Sequence, residues 1–160
     1  MELILLKGKE KSGKTTTAKM VYEDLKKKVR EKPTYIELDD DLEEGEKGND
    51  FKAILKIQNT IVHIISRGDE RIYFNDHIFP QYNRTTNVDI LILCVRTDEE
   101  DGRICKSMEE FVMDNFSNIV NKKTDFQMDY VEKQNDCKEI IEAKKKTAEK
   151  IVEYIYEVIQ

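Results

Sequence analysis

The sequence predicts a three-layer α/β fold: a mostly parallel sheet with helices on both faces and one β-hairpin. Three observations carry this. Residues 89–95, DILILCV, are continuous and uncharged after Asp89, as a central parallel strand buried on both faces must be. Short apolar runs alternate along the chain with segments whose apolar residues recur at three and four, which is the order of a sheet covered by crossover helices. Finally, 160 residues are the length of one ordinary domain, so residues 1–160 are read as a single domain with one sheet.

Taken in order, residues 2–7 form an apolar run that stops at Gly8, a buried first strand. From Gly13 to Arg30, Ala18, Val21, Leu25 and Val29 recur at helical spacing, and Lys26, Lys27, Lys28 and Arg30 gather where cations suit a helix carboxyl end. Pro33 lies just beyond. Thr34 to Leu38 read as a second strand running into Asp39, Asp40 and Asp41, followed by the polar, glycine-containing loop EEGEKGND. Phe51, Ala53, Leu55 and Ile57 then alternate, and after Gln58-Asn59 the run TIVHIIS begins at once, which reads as a hairpin. Between Asp69 and Tyr82 a short helix is preferred over a strand RIYFND, with Pro80 stopping either. After residues 89–95 comes the polar loop RTDEEDGR. Met108, Phe111, Val112, Phe116, Ile119 and Val120 then mark an amphipathic helix, and Phe126, Met128, Tyr130 and Val131 suggest a last strand. From Asp136 onward Ile140, Ile141, Ala148, Ile151, Val152, Ile155, Val158 and Ile159 trace one helical face.

The composition narrows the function classes. A net charge of −6 argues against broad, non-specific nucleic-acid binding, which works through dense positive charge. Cys94, Cys105 and Cys137 are far apart and odd in number, a pattern of neither a disulfide framework nor a zinc site. The apolar run after Glu2 is too short for a signal peptide and nothing later approaches a membrane span, so the expected location is the cytoplasm, with no membrane partner. His63 within a strand, His77 among aromatics and Cys94 in a buried strand read as structural, and Lys144, Lys145 and Lys146 as the wet side of the last helix.

The chemistry gathers in GKEKSGKTTT, residues 8–17. Gly8 and the run Gly13-Lys14-Thr15 match G-x-x-x-x-G-K-[ST], the Walker A signature, with a strand before it and a helix after it. Such a loop works through its backbone. The N–H groups of the loop and of the first helical turn point inward at phosphate oxygens, and the helix dipole adds a favourable field there. The side chains of Lys9, Glu10, Lys11 and Ser12 are then free to face outward, which reconciles a charged centre with phosphate binding.

The chain thus resembles the P-loop NTPase superfamily. That resemblance implies nucleotide binding by Gly8, Lys9, Glu10, Lys11, Ser12, Gly13, Lys14, Thr15 and Thr16, with Lys14 at the β- and γ-phosphates and the Thr15 hydroxyl on Mg²⁺. ATP with Mg²⁺ is the implied cofactor, and the missing N-K-x-D tilts the reading away from GTP. Among small P-loop kinase-like proteins the second strand often ends in Asp-x-Asp, which YIELDDD with Asp39 and Asp41 resembles. A lid arginine has its counterpart in Arg96 or Arg103. A further acid is needed beside the loop to hold the magnesium water shell or to position a nucleophile. Asp69 is the first choice, since TIVHIIS precedes it and Gly68 lets the chain turn, with Asp76 and Asp39 as the other positions.

A partial similarity to the deviant Walker A ATPases rests on Lys9, five residues before Lys14, and on Thr15-Thr16-Thr17-Ala18. The two glycines usual after that first lysine are Glu10 and Lys11 here. Three functions therefore stand open: an ATPase or small-molecule phosphotransferase, a nucleotide-dependent switch that binds a protein partner, and a phosphate-binding loop without catalysis.

Overall fold

The computed structural model describes residues 1–9, 12–38, 50–68, 71, 74–82, 87–97, 108–128 and 137–160. Six strands, β1 (Glu2–Gly8), β2 (Thr34–Glu37), β3 (Phe51–Ile57), β4 (Thr60–Ile65), β5 (Ile90–Arg96) and β6 (Lys122–Met128), form one sheet in the order β2-β3-β4-β5-β1-β6. Parallel ladders join β4 to β5, β5 to β1 and β1 to β6. β3 is antiparallel to both its neighbours and so runs against the other five.

Helix α1 (Lys14–Lys26) and the long α4 (Cys137–Ile159) cover one face, and a π-helical turn (Phe74–Ile78), the short α2 that continues it (Phe79–Tyr82) and α3 (Met108–Phe116) cover the other. The alternation of each strand decides which layer it feeds. Ile4, Leu6, Ile92 and Cys94 pack with Ala18, Val21, Leu25, Ile151 and Ile155, whereas Leu3, Leu5, Leu91, Leu93 and Val95 pack with Phe74, Ile78, Val112 and Phe116. Leu3 to Leu6 are wholly buried because β1 has a helical layer on each side. Each such side chain contributes roughly 1.5–3 kcal/mol relative to an exposed position.

Most expected elements are present, with two departures. The last strand, expected from Phe126, Met128, Tyr130 and Val131, begins earlier, at Lys122, and pairs with β1 through exposed Lys122 and Asp125 and half-buried Lys123, while Tyr130 and Val131 lie outside the described residues. Its beginning is held by backbone ladder bonds and by ion pairs, Lys7 with Asp125 at 3.0 Å among them, so hydrophobicity does not announce it. The segment before Tyr82 is helical, as preferred, but opens as a π-helical turn. The hairpin turn places Gln58 at φ 55°, the left-handed region that disfavours a side chain. Among the described residues no helix is long and apolar enough to cross a membrane.

The registers bring Gly8, Arg96 and Met128 level at one edge of the sheet, where β4 also ends and, because it is reversed, β3 begins. Open α/β sheets bind ligands at this carboxyl-end edge.

Candidate functional site around the Gly8–Thr15 loop

β1 ends where no side chain fits. A Cβ on Gly8 would lie 2.3 Å from Ser12 Oγ and 2.8 Å from the Met128 carbonyl oxygen, so the loop folds directly over Gly8. The Gly8 carbonyl accepts the Thr97 N–H at 3.1 Å, and the Ser12 N–H donates to the Lys9 carbonyl at 3.2 Å, which closes the turn. Gly13 then takes φ 85°, ψ 17°, a left-handed conformation natural to glycine, and starts α1 without a side-chain cap. Three consecutive threonines are poor helix formers, yet Thr17 N–H reaches the Gly13 carbonyl at 2.9 Å, and buried Ala18, Val21 and Leu25 hold the helix down.

Lys14 is buried and turned back over the loop, its Nζ donating to the Gly8 carbonyl at 3.1 Å and the Lys9 carbonyl at 2.8 Å. An ammonium in that place sits over a ring of backbone dipoles at the positive end of a helix. Thr15 Oγ1 donates to Asp50 Oδ1 at 2.8 Å, and the same oxygen accepts from Ser66 Oγ at 2.7 Å. Ser66 Oγ in turn accepts the Phe51 N–H at 2.8 Å, and the Ser66 N–H donates to the Phe51 carbonyl at 3.0 Å. The β3–β4 pair thus fixes Asp50 from below while α1 offers it a hydroxyl. Three buried hydroxyls have no hydrogen-bond partner among the described residues, Ser12 Oγ and Thr17 Oγ1 at the loop and Tyr156 Oη away from it.

Asp50 is the acid that faces Thr15, and the sequence expectations did not name it. It stands at the end of EEGEKGND, a polar loop before a strand, whereas an acid of this kind is expected just after the carboxyl end of one. The signal was present in the hairpin. If β3 pairs antiparallel with β4, the residue before β3 lies beside the residue after β4, at the same edge as the loop. Asp69 and Asp39, the acids expected there, lie outside the described residues, as do Glu10, Lys11, Asp41 and Arg103. Asp76 is exposed on the π-helical turn over the opposite face.

Of the other expected residues, Lys9 and Thr16 are exposed, and Ser12 is buried. Arg96 is half-buried and level with Gly8, so β5 delivers it to the rim of the loop. Gly68 is needed for close packing: a Cβ there would lie 2.1 Å from the Cys94 carbonyl oxygen. Cys94 is a buried thiol, and His63 is buried with Nδ1 2.8 Å from the Tyr82 hydroxyl, both as expected of structural residues, whereas His77 is exposed. Lys145 and Lys146 are on the wet side of α4, but Lys144 is half-buried and lies against Gly13, which corrects its assignment to the solvated face. A groove of about 370 Å³ begins at Thr16 and runs along α1 past Lys19, Met20, Glu23 and Asp24, with Lys145 of α4 on its rim.

Among the described residues no three His, Cys, Asp or Glu side chains form a metal cluster. Thr15 Oγ1 and Asp50 are nevertheless hard oxygen donors side by side, a set that suits Mg²⁺, which takes few protein ligands and fills the rest with phosphate and water. No protein-family model, curated protein or solved structure matches the chain.

Proposed function

We propose that the chain binds Mg-ATP at the loop of residues 8–15 and acts as an ATPase or as a phosphotransferase toward a small acceptor. The observation that carries this is the convergence of Thr15 Oγ1 on Asp50 Oδ1 at 2.8 Å, with the Lys14 ammonium resting on the carbonyls of Gly8 and Lys9. Lys14 holds the loop closed and has only to rotate its side chain to meet β- and γ-phosphate oxygens. The N–H groups at the start of α1 supply fixed donors that need no reorganisation. Thr15 and Asp50 would hold Mg²⁺ with its water shell, and the metal would supply neutralisation of charge on the phosphates. Arg96, level with Gly8 at the end of β5, is the candidate for a further contact to the same oxygens.

The test is titration of Mg-ATP against the wild-type protein and Lys14→Ala. A ligand that binds only the folded state at a hundred times its Kd stabilises it by about 2.7 kcal/mol, so the wild-type melting temperature rises and that of the variant stays. Equal behaviour of the two proteins ends the proposal.

A second reading, the nucleotide-dependent switch, draws on the exposure of Lys9 beside the lysine-capped carbonyls, where it is accessible to a second copy of the chain. In that reading ATP drives dimerisation and Lys9→Ala abolishes it. Sedimentation that shows one copy in the presence of ATP would remove the switch and leave the first reading intact.

A further inference from the structure

Helices α1 and α4 run side by side in the same direction. Lys144 is level with Gly13 at the start of α1, and twelve residues later the Tyr156 ring lies under the Lys28 ammonium, 4.3 Å from Nζ to the ring centroid, just past its end. α4 already begins at Cys137, so its first two turns, roughly 10 Å of helix, project past the start of α1 and flank the loop. Lys144 leaves α4 where this overhang begins. Its Cε and Nζ come to 2.3 and 2.9 Å from the point a Cβ on Gly13 would occupy, so the side chain lies flat on the left-handed glycine.

A helix amino terminus is an unfavourable place for a cation unless an anion shares it. The first turn of α1 carries no acidic residue and already contains Lys14, so a second ammonium is added to the positive end of a helix dipole. Among the described residues no carboxylate pairs with Lys144. The turn below it holds Ser12 Oγ, 3 % exposed by residue, unpartnered and directed across the loop at Gly8. A solvated lysine would extend away as Lys145 and Lys146 do. An anion in the loop would reverse the sign of all these features at once.

We propose that Lys144 is a second phosphate-binding lysine, which reaches from α4 over Gly13 to the phosphate chain of a nucleoside polyphosphate and so ties α4 to the bound ligand. The inference rests on the reading of the loop as a nucleotide site and adds to it a contact from outside the loop-helix motif. Lys14 approaches the phosphates from within the loop and Lys144 from its outer rim, so a polyphosphate chain is gripped by two ammoniums from two helices.

Calorimetric titration of the full chain with Mg-ATP and with inorganic triphosphate, at low and high salt, tests it. Lys144→Gln should weaken both ligands by about tenfold to a hundredfold, the factor for one charge-assisted contact, and should flatten the salt dependence. Lys144→Arg should recover most of the affinity and Lys145→Gln should stay within twofold. The ligand-free melting temperature of Lys144→Gln should hold or rise, because a cation leaves a positive helix end. If wild type binds Mg-ATP and Lys144→Gln binds it equally, Lys144 is no ligand while the loop keeps its role. If affinity falls only together with ligand-free stability and the salt dependence is unchanged, Lys144 is a packing residue. If wild type binds neither ligand, the nucleotide reading of the loop fails and this contact with it.

Discussion

The two edges of the sheet treat polar groups in opposite ways. At the edge where β1 and β6 begin, Glu2, Thr124 and Tyr154 are mutually bonded: the Tyr154 hydroxyl donates to Glu2 Oε1 and lies 2.7 Å from Thr124 Oγ1, and Lys122 stands 3.6 Å from Glu2 and over the Tyr154 ring. At the edge where those strands end, Ser12 Oγ and Thr17 Oγ1 are buried without a partner and Lys14 and Lys144 gather at one helix end. Unsatisfied buried hydroxyls cost stability and are rare in folded proteins. Of the three unpartnered buried hydroxyls among the described residues, two lie at the loop and the third, Tyr156 Oη, beside Lys28 past the end of α1; the loop edge differs in joining its two open hydroxyls to two ammoniums, which supports the proposal that a ligand binds there. The buried pair of His63 on β4 and Tyr82 on α2 belongs with the satisfied group.

The largest effect that sharpens this contrast is a pH response. Burial, with Lys52 nearby, pushes the His63 pKa down to about 4 from an ordinary 6.5. The folded protein keeps His63 neutral while the unfolded chain takes up a proton below pH 6.5. The stabilisation is whole above that pH, falls between 6.5 and 4 and is flat below, a loss of about 3 kcal/mol from this group. Urea unfolding from pH 7 to 4 should show the slope, and His63→Asn should flatten it; an unchanged slope would place the titrating group elsewhere.

Next in size is Asp50→Asn, which keeps the oxygen that Thr15 and Ser66 use. Folding should survive, but the gain in ATP affinity that Mg²⁺ brings to the wild type should fall by about tenfold or more, as one ionised ligand is lost. Magnesium enhancing ATP binding equally in both proteins would remove Asp50 from the metal site.

Smaller still, Tyr154→Phe at the satisfied edge should cost about 1 kcal/mol in denaturant unfolding and leave ATP affinity as it is. The smallest change carries the opposite sign. Thr17→Val deletes an unpartnered hydroxyl without changing shape and should leave the ligand-free protein as stable or more stable by up to about 1 kcal/mol, while weakening ATP binding. A clear destabilisation by Thr17→Val would mean that its hydroxyl is satisfied in solution, and the contrast between the edges would shrink.

Much of this molecule is legible from residue order. Strand β5 and helices α1 and α4 follow from apolar runs and helical periodicity, because burial on a face has a period that the sequence must carry. The loop is legible because glycine is needed where a Cβ has no room, at Gly8, and where φ is positive, at Gly13. The start of β6 is not legible, since Lys122, Lys123 and Asp125 hold an edge strand through backbone bonds and ion pairs.

By itself, then, the sequence determined the alternating architecture, the loop and the identity of Lys14 and Thr15, all of which depend on neighbours within a few residues. Which acid faces Thr15 was decided by the direction of β3, which brings Asp50 from 35 positions away to 2.8 Å. Which lysine of three joins the loop was decided by the packing of α4 along α1, which lays Lys144 on Gly13 and leaves Lys145 and Lys146 in solvent. Strand sense and helix rotation are collective properties of the closed core. A local pattern does not carry them, because the contacts that select them form only when all the layers meet.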